Sequence, residues 1–412
     1  MIPVACARTL AGRDLAAAQR ETRATTLHHL SLWQSLGLPG SILPELRAFN
    51  PPAWEAGHIA WFQEYWLNRN PERLAGVAAR PDAARGPAWL ENADALYNSS
   101  QVAHGTRWHL PLPDDDILRA YLVETLSASL ALLERQAEGD AALYFHRLAL
   151  FHEDMHNEAA IYMANHAAAL LGLTLEGFAP AGVTSDMAGG DCEPPASPQT
   201  LVLSGGSVVL GWPAAGFAFD NECPPQMVTV ADSRIDATLT TVQDFLAFMA
   251  ADGYHTARWW TAAGWAWRQA EQRELPAFHR WRAGTLERCW FGQWRALRAS
   301  DPVLHASAHE ADAYCAWAGR RLPSEGEWML AVRTQNRFRW GDAWEWTRDA
   351  FAPFPGFVAH PYEDYSQPWF HTHRLLKGAS PATHARLRDP RYRNFYPAGR
   401  TDIFCSFRTV QG

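Results

Sequence analysis

His152-Glu153-Asp154-Met155-His156-Asn157-Glu158 is the stretch on which the reading of this chain turns. It lies inside a periodic run, Ala141 to Leu171, whose apolar spacing predicts one long helix. Helical residues four apart share a face one turn from each other, so His152 and His156 aim two imidazoles at one point. Two neutral imidazoles so placed can grip one metal ion. The run satisfies the zinc-protease pattern H-E-x-x-H, in which Glu153 would be the general base. It also satisfies H-x-x-x-H-x-E, a pattern in which the metal is redox-active iron. The first reading cuts a bond with water; the second makes one with oxygen.

Around this helix the chain divides into two compositional regimes. Periodic runs rich in Ala, Leu, Glu and Arg, at Leu15 to Leu36, Pro52 to Asn68 and Asp115 to Ala137, predict an antiparallel helix bundle over residues 1–177. Pro113 followed by three aspartates is a helix entry, since carboxylates there meet orphan amides and the positive dipole end. Residues 178–199 turn to Pro, Gly, Ser and Asp and read as a linker. Residues 200–412 mix Trp, Gly and Arg with short alternating segments such as Thr200-Leu201-Val202-Leu203, so the chain as a whole is expected to be α+β.

Bulk composition narrows the function. A chain of 412 residues, 48% hydrophobic and 19% charged, is long enough for two domains. A net charge of −8 argues against nucleic acid as a partner, because phosphate binding wants a basic face. No apolar run reaches the roughly 18 residues of a membrane span, and the N-terminus has no basic stretch leading into an apolar one. The six cysteines, without C-x-x-C spacing, are expected to be reduced thiols of a cytoplasmic protein. The 20 tryptophans bury large areas and offer ring faces to a quaternary ammonium.

A pair of histidines needs a third ligand, and metal sites in bundles draw on facing helices. Pro52-Ala53-Trp54-Glu55-Ala56-Gly57-His58 offers His58 among apolar residues, beside a glycine that permits close approach of a neighbour. Three imidazoles with open coordination positions suit Fe(II) or a catalytic Zn(II). His146 is expected to be a surface group or to support a ligand from outside the coordination sphere, and Glu153 and Glu158 are solvated or orient a ligand imidazole. The protease reading is weaker at its third ligand. Ala159 and Tyr162 stand where the extended metzincin pattern has glycine and histidine, which leaves Glu176, at the end of the helical region.

At this point the chain resembles a family. Pro52, Trp54 and His58 with H-x-x-x-H-x-E are similar to the DinB-like half of the ergothioneine-type sulfoxide synthases. Asp301-Pro302-Val303, His309 to Trp317, Arg320-Arg321-Leu322-Pro323-Ser324-Glu325-Gly326-Glu327-Trp328, Trp344-Glu345-Trp346-Thr347 and Phe404-Cys405-Ser406-Phe407-Arg408 resemble formylglycine-generating-enzyme domains, which have a C-type-lectin-like fold. The resemblance implies a non-haem Fe(II) site at His58, His152 and His156. It implies hercynine (trimethylhistidine), a sulfur donor and O2 as partners. Tyr362 and Tyr365 match the family's paired tyrosines, one of which donates a proton, and Tyr362 is the choice for that role. Asn394, Phe395 and Tyr396 match its late substrate-pocket motif, with ordinary core packing as the alternative for the two rings.

Where the chain departs from the pattern, it points to the donor. Met155 stands where ergothioneine synthases often carry a glutamine that contacts hercynine. After Asn98 the donor-side segment has one arginine, Arg107, next to Trp108, where related members are arginine-rich. A carboxylate-bearing peptide donor wants bidentate arginines, whereas a neutral sugar does not. The resemblance is accordingly greatest to the selenoneine synthases of the family, and implies a carbon–selenium bond between hercynine and a selenosugar. Ergothioneine or ovothiol chemistry with cysteine or gamma-glutamylcysteine is the alternative, and a zinc hydrolase a remote one. A copper oxidase would need a C-terminal cysteine pair, and only Cys405 is there. A non-catalytic lectin-like module would have no use for the bundle histidines.

Overall fold

The computed structural model describes residues 7–36, 49–135, 138–180 and 199–411. Four long helices form the first part: α1 (Gly12–Ser35), α2 (Pro52–Gln63), α3 (Asp115–Leu133) and α4 (Asp140–Leu171). Both α1 and α2 pack on α3 and on α4, which makes a bundle with the His152 helix as one wall. Every residue of α2 from Trp54 to Gln63 is buried, as its nearly unbroken apolar sequence requires. Asp114 caps α3 by accepting from the Ile117 amide, as expected of the aspartate run. α4 ends at Gly172, whose φ of 67° is the left-handed conformation that glycine adopts without cost.

Three sequence expectations shift at their edges. The helix predicted through Asn68 continues beyond Gln63 only as a π turn, Glu64–Asn68. Glu64 there accepts from Tyr121 Oη at 2.5 Å and from the Trp89 amide at 2.6 Å, so the backbone bends to serve buried polar partners. The third helix stops at Leu133, short of Ala137. Phe178, taken as the start of the linker, is buried and stacks on His29 at 5.5 Å, so it belongs to the bundle core. The rest of that stretch, residues 181–198, lies outside the described residues.

The second part is α+β. Strands β1 (Thr200–Leu203), β2 (Gly206–Leu210), β3 (Gln226–Val230) and β4 (Ser233–Asp236) are followed by helices α5 (Val242–Ala250) and α6 (Ala262–Ala270). A meander of β5 (His279–Arg282), β6 (Thr285–Trp290) and β7 (Gln293–Ala296) precedes α7 (Ala308–Ala318), β8 (Arg320–Arg321) and α8 (Glu325–Thr334). The chain closes with β9 (Ala343–Ala350), β10 (Arg374–Ala379), β11 (Asn394–Tyr396), β12 (Cys405–Ser406) and β13 (Val410–Gln411). Two four-stranded sheets, in the orders β1-β4-β13-β8 and β11-β10-β9-β12, form its frame. α7 and α8 start at capping boxes, Ser307 with Glu310 and Ser324 with Glu327. Trp328, Trp344 and Trp346 fill the core between these elements.

The two parts are bolted together along α4. Asp154 accepts both arms of Arg386 at 2.9 Å. Glu158, one turn on, accepts from Trp344 Nε1 at 2.8 Å, Ser380 Oγ at 2.7 Å and Thr383 Oγ1 at 2.8 Å. Arg8 reaches across to Glu222 with bonds of 2.6 and 2.7 Å. None of the described helices is long and apolar enough to cross a membrane.

Candidate metal centre

α2 and α4 bring His58, His152 and His156 together so that one ligand atom of each lies within 4.8 Å of the others. His152 Nε2 and His156 Nε2 are 3.1 Å apart. His58 faces both rings, with centroid distances of 5.1 and 4.9 Å. Burial, followed by the neighbouring His156, lowers the His58 pKa to about 3 and puts that of His152 well below its ordinary value. His58 and His152 are therefore held neutral at physiological pH, with nitrogen lone pairs available. Three imidazoles converging from two helices, with no carboxylate among them, are a donor set that fits a catalytic divalent metal with open positions.

Each of the three rings is fixed from outside. His58 donates from Nδ1 to the Tyr97 carbonyl at 2.8 Å, which turns its other nitrogen inward. The close approach expected beside Gly57 is made by Tyr97: a Cβ on Gly57 would lie 2.2 Å from that ring. Phe62, one turn beyond His58, stacks flat on His152 at 3.5 Å and 6°. His156 Nδ1 lies 2.5 Å from Glu55 Oε2. Burial alone would raise the Glu55 carboxyl, but its partner His156 and its hydrogen bond from Asn50 outweigh that and hold it down at about 2.

Both acids of the opening stretch have other duties. Glu153 pairs with Arg23 at 2.7 Å and accepts from Thr26 at 2.6 Å, so it faces α1. Its carboxylate is committed on that side, and the general-base role of the zinc-protease pattern has no support. Glu176 sits exposed in a short 3-10 turn, Glu176–Phe178, outside the ligand cluster. Glu158 ties α4 to the second domain and touches no ligand ring through its hydrogen bonds. His146 corrects another expectation: it is fully buried, with Gln19 Nε2 bonded to its carbonyl at 3.1 Å.

The second part supplies the opposite wall. Tyr362 packs edge-on to Phe62 at 4.9 Å and lies 6.3 Å, ring to ring, from His152. Burial pushes its pKa up to about 12, so it keeps its proton at neutral pH. Tyr365 stacks on Phe219 at 4.6 Å, and its hydroxyl meets Tyr392 Oη at 3.1 Å and Met155 Sδ at 3.8 Å. Tyr392 also donates to Met155 Sδ at 3.2 Å. The loop carrying both tyrosines is tied to the bundle by Tyr144 with His360 at 3.2 Å and by Ser100 with Asp364.

The remaining expected pocket residues divide. Phe395 stacks on Phe351 at 4.0 Å on one side and meets the Tyr365 ring at 5.8 Å on the other. Tyr396 lies under the Arg400 guanidinium at 5.3 Å, and Asn394 accepts from the Phe395 amide at 2.9 Å. Asn98 shapes its turn by accepting from the Ser100 amide at 3.1 Å. Arg107 sits 3.9 Å over Trp54 and donates to Asn50 at 2.8 Å, Val102 at 3.1 Å and Ser99 at 3.3 Å. Trp108 packs into the neighbouring cluster of Trp33, Phe49 and Met163. Glu55, Phe62 and Tyr392 were not singled out in the sequence. Glu55 carried the one available signal, an acid one turn before His58 on the same helix.

The chain is similar in sequence to known proteins along most of its length. The hercynine oxygenase of Mycolicibacterium smegmatis is 30% identical over 417 residues, covering 87% of this chain and 90% of that one. That of Mycobacterium tuberculosis is 30% identical over 407 residues, with the same coverage of 87% and 90%. The chain belongs to the ergothioneine-type sulfoxide synthase family. Residues 186–343 of this sulfoxide synthase homologue also match the sulfatase-modifying factor enzyme 1-like domain. The mouse formylglycine-generating enzyme is 29% identical over 182 residues, 36% of this chain and 44% of that one. The solved structure of PvdO from Pseudomonas aeruginosa, at 16% identity and a TM-score of 0.36 over 53% of this chain and 95% of that chain, adds nothing further. Within this family the chain lacks a copper-oxidase cysteine pair among its described residues: Cys405 is wholly buried and its thiol donates to the Ala306 carbonyl at 3.2 Å.

Proposed function

We propose that this chain is a non-haem Fe(II), O2-dependent enzyme that joins hercynine to a selenosugar through a carbon–selenium bond. The observation that carries the iron reading is the convergence of His58, His152 and His156 within 4.8 Å, with Tyr362 packed beside the His152 ring. Fe(II) held by those three imidazoles would supply the coupling of oxygen reduction to oxidation of the hercynine imidazole carbon. The protein's own part is positioning. Tyr362 holds a proton on its phenol beside the ligand His152 and serves as the donor. The partly exposed rings of Tyr362, Tyr365 and Phe395, grouped on this wall, suit a trimethylammonium by cation–π attraction. The loop from His360 to Ser366, clasped to the bundle at Tyr144 and Ser100, limits entry of water.

The donor is argued from arginines. Arg107 has spent its hydrogen bonds on Asn50, Ser99 and Val102, and Arg400, beside Tyr396, is paired with Asp402. Neither offers a free bidentate grip for the carboxylates of a peptide donor, whereas a neutral sugar needs none. Met155, pinned by two phenols, presents a polarisable thioether rather than an amide. The second reading, C–S bond formation with cysteine or gamma-glutamylcysteine, draws on the two hercynine oxygenase relatives. Incubating the Fe(II)-loaded protein with hercynine, O2 and each donor, followed by mass spectrometry, separates the two. Product with selenoglucose or thioglucose alone supports the first reading; product with cysteine or gamma-glutamylcysteine alone replaces it with the second. The reaction is expected in the cytoplasm.

A further inference from the structure

The three ligand imidazoles are supported unequally. His58 leans on a neutral carbonyl, Tyr97 O at 2.8 Å, and His152 on a ring face, Phe62 at 3.5 Å. Among the described residues, only His156 has a carboxylate, Glu55 Oε2, at 2.5 Å from Nδ1. A carboxylate oxygen this close engages Nδ1 in a hydrogen bond, which leaves Nε2 as the ring nitrogen open to a metal. Nε2 is the atom that faces His152 Nε2 at 3.1 Å.

Glu55 is itself built in. It is buried, and its second oxygen accepts from Asn50 Nδ2 at 2.5 Å. No Lys or Arg pairs with it among the described residues. Its two oxygens therefore serve one imidazole and one amide, and what polarises His156 from outside is this carboxyl group. Asn50 Oδ1 accepts from Arg107 Nη1 at 2.8 Å, Arg107 lies 3.9 Å over Trp54, and Trp54 stacks on His58 at 4.8 Å and 9°. The contacts thus run in a loop from His156 back to His58.

We propose that Glu55 is a positioning residue of the metal centre, which commits His156 to ligation through Nε2 and makes it the most electron-rich of the three ligands. Asn50 and Arg107 hold it in register, which joins the segment around Arg107 to the metal ligands. The inference rests on the three-histidine site, and its logic is that of carboxylate–histidine–metal triads in general. A simple ion pair would serve stability alone and would leave metal affinity and ring tautomer untouched.

The test is anaerobic titration of the full-length protein with Co(II) and Fe(II), in the parent and in Glu55→Gln. The amide keeps the side chain's size and removes its charge. Loss of such a partner typically weakens metal binding about 10–100-fold, and that is the expected result. In the zinc-loaded protein labelled with 15N-histidine, one strongly deshielded Nδ1–H is expected in the parent and absent in Glu55→Gln, while the His58 signal persists. Asn50→Ala, which leaves Glu55 in place but unheld, guards against misfolding of the first variant and is expected to weaken binding by a smaller factor. Parent-like affinity with an unchanged histidine spectrum in both variants overturns the proposal. Failure of the parent protein itself to bind metal overturns instead the three-histidine reading on which it rests.

Discussion

At the scale of the residue, the division of labour among acids and phenols around α4 decides which chemistry is available. Glu153 carries the zinc-protease pattern in the sequence, yet its partner is Arg23, and both side chains are almost wholly buried. Removing one member of a buried pair costs about 3–5 kcal/mol because the other charge is left uncompensated. Glu153→Gln is therefore expected to lower the free energy of unfolding by up to that amount while leaving metal content at the parent level, measured by denaturant unfolding and metal analysis. Loss of metal without loss of stability would restore the hydrolase reading. Tyr362→Phe tests the opposite case. It keeps the ring against Phe62 and removes only the proton, so iron binding should persist while turnover falls by roughly 10²–10⁴-fold, the usual contribution of a positioned proton donor. His152 and His156 were legible from spacing because helical geometry alone brings a pair at i and i+4 together, whereas His58, on another helix, needed the family resemblance. The Tyr392–Met155–Tyr365 contact was not, because it joins residues from α4 and two separate loops that no local pattern relates.

At the scale of the element, two approaches make the site. The first is Gly57, where α2 meets the one-turn helix Ala93–Tyr97 so closely that a Cβ would lie 2.2 Å from the Tyr97 ring. Gly57→Ala must push that helix away and with it the carbonyl that orients His58. Overpacking of this kind costs about 1–3 kcal/mol, and metal affinity should fall alongside the melting temperature. A variant with parent-like melting and affinity would show that Tyr97 does not orient the ligand. The second is the tyrosine loop, where Asp220 accepts from the buried hydroxyl of Ser366. Ser366→Ala should raise amide exchange across residues 360–366 and slow turnover, with metal affinity unchanged. The helices of the bundle were readable from periodicity, but the exit of the second one into a π turn was not, since it answers to Tyr121 and Trp89 far along the chain.

For the whole molecule, the buried histidines set the response to acid. Burial lowers His29 and His146 to about 4 and His279 to about 3. A histidine whose folded pKa lies below its unfolded value of about 6.5 contributes stability that is present above that value and is lost as pH falls toward the folded one. Each such group should cost about 1.4 kcal/mol for every pH unit below 6.5 until its folded pKa is reached. Denaturant unfolding between pH 7.5 and pH 5 is expected to show a steep loss of stability over that range, ahead of most carboxylate titration. Constant stability down to pH 5 would contradict it. The bundle and the α+β half were both legible as composition, and their order in the chain suggested two domains. That both halves contribute to one site came from the family resemblance alone; what joins them was not legible, because it depends on Asp154 and Glu158 facing the second half while His152 and His156, on the same helix, face α2. The central claim is that three histidines from the bundle and a tyrosine from the second half make one oxygen-dependent centre. Its most direct test is oxygen uptake by the Fe(II)-loaded protein with hercynine and a selenosugar or thiol donor. Uptake should require iron, hercynine and donor together and vanish in His152→Ala, whereas uptake that survives that substitution, or turnover that proceeds without oxygen, would contradict it.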